Sequence, residues 1–84
     1  MNKQEVIKNI EEIVATAVNH HNFSLTAETK PDEVKGWDSL ANAMIITSIE
    51  NEFGVKFKFS DMMAWQNVGE LADIVLVKSE GLKA

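Results

Sequence analysis

The chain has 84 residues, 45% of them apolar and 25% charged, which is room for one domain with one core and too apolar for a disordered tail. Thirteen acidic residues against eight lysines set the net charge at −5, a sign that repels nucleic-acid phosphates and anionic lipid headgroups and favours partners with basic patches. The absence of cysteine excludes a disulfide framework, a thiolate metal site and a protein thiol nucleophile.

From Lys3 to Val18 the apolar residues Val6, Ile10, Ile13, Val14 and Ala17 recur at three- and four-residue steps, with Glu5, Lys8, Glu11 and Glu12 on the other face, which predicts an amphipathic helix. It frays near Asn19, because Asn-His-His-Asn is poor helix material and Ser24, Thr26 and Thr29 offer competing hydrogen bonds to the backbone. A long connection follows to about Trp37, with Phe23, Leu25, Val34 and Trp37 as its anchors. Within it, Pro31-Asp32-Glu33 suits the first turn of a short helix, since proline fits at the start and acids favour the positive dipole end.

Asp38 is the expected N-cap of a second helix from Ser39 to Phe53, with Gly54 as its stop. Ile45, Ile49 and Phe53, joined by Ile46, form its buried stripe and turn Glu50, Asn51 and Glu52 outward. Val55 to Phe59 alternates as a strand does, but one strand has nothing to pair with, so an extended loop with one or two phenylalanines turned inward is expected. Ser60 can cap a short helix through Trp65. Asn67 with Glu70 resembles a capping box that opens a last helix, whose apolar set is Val68, Leu71, Ile74, Val75 and Leu82. The fold class is therefore all-α: one domain over 1–84, with main helices near 3–18, 39–53 and 68–80 and a short one near 60–65. The longest apolar runs, Ala43–Ile46 and Ile74–Val77, are only four residues, and the start is polar, so a cytoplasmic chain without membrane insertion is expected.

Little in the chain resembles a catalytic constellation. His20 and His21 are neighbours, which point about 100° apart on a helix and cannot share a metal as an i, i+4 pair can, so solvated histidines and no metal site are expected. Glu11-Glu12 and Glu50/Glu52 sit where a solvated helix face puts them. Ser39 lacks the glycine-flanked elbow of a hydrolase, and its position in the first turn of a helix is most often that of a cap. The same position suits an anion, because free backbone N–H groups and the dipole favour a phosphate there by about 0.3–1 kcal/mol when exposed.

Asp38-Ser39-Leu40, followed by Ile45, Ile49, Glu50, Glu52-Phe53-Gly54, Val68 and Ile74, resembles the acyl carrier protein family from Gly36 to about Val75. Asp-Ser-Leu alone is a weak motif; tied to Glu-x-Phe-Gly at that distance it is specific. The resemblance implies a small carrier bundle, not an enzyme, in which Ser39 bears a covalent 4′-phosphopantetheine delivered from coenzyme A by a separate, Mg²⁺-dependent phosphopantetheinyl transferase. The arm supplies the thiol that the chain lacks, Asp38 helps present the serine, and Leu40 lies beside the attached group. Leu40 and Ala43 lie on the face that partner enzymes touch, with Met44, Thr47 and Trp65 counted as partner-facing as well. The implied partners are an acyl-loading ligase or acyltransferase and ketosynthase-type or other acyl-transferring enzymes, met by a monomer in fatty-acid, polyketide or other specialised acyl transfer.

The chain also departs from the family pattern. Ala41 and Met44 stand where many fatty-acid carriers have acids, and Phe59-Ser60-Asp61-Met62-Met63-Ala64-Trp65 replaces an acidic cluster. Helical spacing favours a core place for Met62 and Trp65, and an exposed one for Met44. The thinned charge suggests docking through apolar contacts in a dedicated pathway. Three other readings stay open at this level: an unmodified helical interaction module, an aminoacyl or D-alanyl carrier, and, remotely, a small hydrolase using Ser39.

Overall fold

Asn2 accepts the N–H of Glu5 on its side-chain oxygen at 2.9 Å and so starts α1, Lys3–Val18. In the computed structural model, which describes residues 1–83 and side chains as far as Glu80, α1 is followed by α2 (Ser39–Phe53), α3 (Phe59–Met62) and α4 (Val68–Lys83), with a 3₁₀ turn at Pro31–Glu33. The described residues include no strand. α1 packs against both α2 and α4, and Ile10, Ile45, Ile49, Leu71, Val6, Val14, Val68 and Val75 are fully buried between them. Each helix brings its three- and four-residue apolar stripe to this centre, which is how such short helices become stable. Ala72 also lies in it and Ala15 is buried, and periodicity alone did not single them out. Leu82, expected in the apolar set of α4, lies outside the described side chains.

α1 ends at Asn19, which takes the left-handed conformation at φ 61° that asparagine tolerates better than most residues. The connection that follows is tied down. Leu25, Val34 and Trp37 are buried and Phe23 is half-buried, as expected of the anchors. Two residues expected on solvated faces hold this loop instead. The Glu11 carboxylate accepts the Leu25 N–H at 2.8 Å, so an otherwise open loop amide is paired on α1. His20 accepts the Asn22 N–H on Nδ1 at 3.1 Å and donates from Nε2 to the Lys35 carbonyl at 2.7 Å, while Phe23 meets its ring edge to face. Its neighbour His21 is exposed.

α2 is bounded by Asp38 and Gly54 as the sequence predicts, with Gly54 at φ 67°. Glu50 departs from the outward-facing reading: its carboxylate accepts the Phe57 N–H at 2.8 Å, and its carbonyl accepts the Val55 N–H. The alternating segment is thereby an extended loop over residues 55–58, with Val55 and Phe57 inward, and Phe59, 78% exposed, already belongs to α3.

The short helix also differs from expectation. It begins at Phe59 and ends at Met62, not Ser60 to Trp65, because Asp61 supplies the capping carboxylate and accepts the Lys58 N–H at 2.7 Å. Asp61 meets the Lys78 ammonium at 2.7 Å as well, which fastens α3 to α4, and the same ammonium lies 5.8 Å from the Phe57 ring centre. At the start of α4, Asn67 accepts the Glu70 N–H at 2.8 Å, as a capping residue should. The Glu70 carboxylate reaches back to the Gln66 N–H, one residue beyond the place a capping box predicts.

Candidate functional site

The first turn of α2 is aimed by the loop before it. Gly36 takes φ +91°, a conformation costly for any residue with a side chain, and a Cβ there would stand 3.2 Å from the Val18 Cβ. The turn lets Trp37 bury its ring while Asp38 begins the helix. The Trp37 indole N–H donates to the Asn42 side-chain oxygen at 2.9 Å, which locks the loop onto the helix it introduces. The Asp38 carboxylate accepts the Ala41 N–H at 2.8 Å, and its carbonyl accepts the Asn42 N–H at 2.8 Å.

Asp38 therefore acts as the cap, and Ser39, the first residue of the helix, is exposed with no capping duty of its own. Ser39 stands at the rim of an open groove of about 590 Å³. The loop side of the groove carries Lys30 and Asp32, and the far wall carries Met62, Trp65 and Gln66. Trp37 and Trp65 pack with ring centres 6.2 Å apart and planes tilted by 39°.

Of the residues expected near a partner or an attached group, Leu40, Ala43, Met44 and Thr47 share the exposed face of α2. Leu40 is 75% and Met44 52% exposed, one helical turn apart on that face. From Ser39 to Ile49 the helix carries no charged residue. Trp65, counted as partner-facing, is not part of the open face: it is only 9% exposed, at the edge of the core as its helical spacing favours, and its ring borders the groove. Met62, given a core place by its spacing, is exposed instead. The second groove wall was missed in the sequence, because α3 and the turn before α4 meet α2 only in three dimensions. The descent from Trp37 to Asn42 within one loop-helix junction was the local signal that could have been read.

Among the described residues no cluster of three histidine, aspartate or glutamate side chains can hold a metal ion. Nor is any described helix long and apolar enough to cross a membrane.

Compared with known proteins, residues 32–75, more than half of the chain, match the family model described as the phosphopantetheine attachment site. The chain also superposes on the solution structure of the holo acyl carrier protein from Geobacter metallireducens, with a TM-score of 0.82 and 29% identity over 93% of this chain and 91% of that one. No curated protein sequence matches it. The chain belongs to the phosphopantetheine-binding family of acyl carrier proteins. It is thus a carrier and not an enzyme, its cofactor is a covalently attached phosphopantetheine, and its partners are a phosphopantetheinyl transferase and acyl-handling enzymes.

Proposed function

We propose that Ser39 is the attachment point, its Oγ esterified to the phosphate of 4′-phosphopantetheine, and that the chain works as a monomer in the cytoplasm. The observation that carries this reading is the exposed hydroxyl of Ser39 at the first position of α2, inside the matched segment and relieved of capping by Asp38. The residues fit such a group. A phosphodiester there meets the positive end of the α2 dipole, worth about 0.3–1 kcal/mol at an exposed site. The groove beside it has room for an extended arm.

The bound group supplies a thiol, on which acyl groups are held as thioesters. The chain supplies the rest: Asp38 and Trp37 hold the start of α2 in one geometry, and Gly36 takes the left-handed turn that leads into it. Leu40, Ala43, Met44 and Thr47 form the face that meets the transferase and the acyl-handling enzymes. An uncharged face with two large exposed apolar side chains supports docking by apolar contact in a dedicated acyl-transfer pathway, whether it builds a fatty acid, a polyketide or another acyl product.

Incubation with coenzyme A, Mg²⁺ and a broad-specificity transferase, followed by intact-mass measurement, tests the assignment. One phosphopantetheine should be added to the wild type and none to Ser39→Ala. Modification of the Ser39→Ala protein would place the attachment elsewhere. A wild type that is never modified would leave the unmodified interaction module as the better reading.

A further inference from the structure

Trp65 is nine-tenths buried, yet its indole Nε1–H is shut off from solvent and has no hydrogen-bond partner among the described residues. A buried N–H without an acceptor weakens the fold, and native chains seldom keep one that serves no purpose. The ring carrying it lines the groove at whose rim Ser39 stands. The other indole of the pair is satisfied, since Trp37 donates to Asn42. Two indole rings 6.2 Å apart thus border the groove, one with its N–H paired and one with its N–H unpaired and shut off from solvent.

We infer that Trp65 donates its Nε1–H to an amide, thioester or hydroxyl oxygen of the group carried on Ser39. The inference builds on the assignment of Ser39 as the attachment point. An extended arm anchored at Ser39 runs past Trp65 if it follows the groove, and its amide oxygens or an oxygen on the acyl group are the acceptors that such a donor recognises. The amide oxygens are present in every modified state, the thioester oxygen in both acylated states and a hydroxyl oxygen with 3-hydroxybutyryl alone, so the state that responds names the acceptor. Exposed Met62 and Gln66 border the same wall, and the ring must roll its edge past them to bring the shut-off N–H to the groove.

The experiment follows the indole ¹H–¹⁵N resonances of the full chain in four states: unmodified, carrying phosphopantetheine alone, and loaded with a butyryl or a 3-hydroxybutyryl group. The Trp65 resonance should move downfield in at least one modified state, while that of Trp37 stays in place. Movement with the bare arm identifies an arm amide as the acceptor. Movement only with 3-hydroxybutyryl identifies its hydroxyl oxygen, and movement with both acyl groups but not the bare arm identifies the thioester oxygen. A Trp65 resonance unmoved in all modified states overturns the inference, and does so separately from the attachment, which intact mass reports in the same samples. Trp65→Phe provides a second measurement, because it keeps an aromatic ring and removes the N–H. The rise in melting temperature between the unmodified protein and the responding form should be lost in this variant; a rise equal to that of the wild type also overturns the inference.

Discussion

The N–H of Gly69 donates to the carbonyl of Ala27 at 2.8 Å, so the second residue of α4 is seated directly on the long loop. Val68 does the same with the Thr29 carbonyl at 2.8 Å, and together the two bonds satisfy helix-start amides that would otherwise be open. The approach is close enough that a Cβ on Gly69 would stand 2.8 Å from both the Ala27 Cβ and its carbonyl oxygen. Gly69→Ala should therefore lower stability, although alanine is the better helix former. Overpacking costs about 1–3 kcal/mol and the propensity gain returns at most about 1 kcal/mol. A urea unfolding midpoint that stayed level or rose would contradict this. Adding Ala27→Gly should recover only part of the loss, because one of the two clashing atoms is backbone.

Asp61 gives the fold an acid-sensitive fastening. The Lys78 ammonium and then the Lys58 N–H hold its carboxyl below its ordinary value of 3.8. Because the folded-state value is depressed, the contribution to stability is present above 3.8 and is lost as the pH falls through the lower, folded-state value. The wild type should lose melting temperature on the acid side more steeply than Asp61→Asn, and the two curves should run parallel at neutral pH. Identical acid slopes would show that the Asp61–Lys78 pair contributes nothing to stability.

These relations explain how far the sequence could be read. The ends of α2 were legible because a capping aspartate and a terminal glycine act within a few residues of where they sit, and Ile45 and Ile49 repeat at the spacing that buries them. The start of α3 was misplaced by one residue because Asp61 caps backward onto Lys58, while Ser60 is the more familiar capping residue type. Glu11 and Glu50 looked solvated because their partners, the amides of Leu25 and Phe57, lie in loops whose path no local pattern encodes. The serine at the head of α2 was visible in its motif; the groove beside it was not, because its walls come from segments far apart in the chain.

Core and proposed attachment site should separate cleanly under mutation. Ile49 is fully buried, and Ile49→Ala should cost about 2–5 kcal/mol through the cavity it leaves, a large part of the stability of so small a domain. Phe53 is only half-buried, so Phe53→Ala should cost less. Ser39→Ala removes an exposed hydroxyl from a helix that Asp38 already caps, and its unfolding midpoint should stay within about 0.5 kcal/mol of the wild type while modification is abolished. A large loss of stability in Ser39→Ala would mean that the serine carries structural weight that its exposure does not suggest.

The face of α2 sets a prediction about how partners find the chain. With no charge between Ser39 and Ile49 and with Leu40 and Met44 standing out of the helix, contact with the modifying transferase should depend on apolar burial, although the net charge of −5 still acts at long range. Burying a leucine side chain is worth about 1.5–3 kcal/mol, so Leu40→Ala should lower kcat/KM for modification of Ser39 by roughly tenfold or more. Met44→Ala should lower it less, being less exposed to begin with. Apolar contact is nearly independent of ionic strength, whereas rates steered by charge fall steeply as the Debye length shortens from about 30 Å at 0.01 M to about 8 Å at 0.15 M. Measured over that range, the rate for the wild type should change little compared with the effect of Leu40→Ala. A steep fall with salt, together with a harmless Leu40→Ala, would mean that docking is electrostatic and that the apolar face of α2 is not the surface the transferase uses.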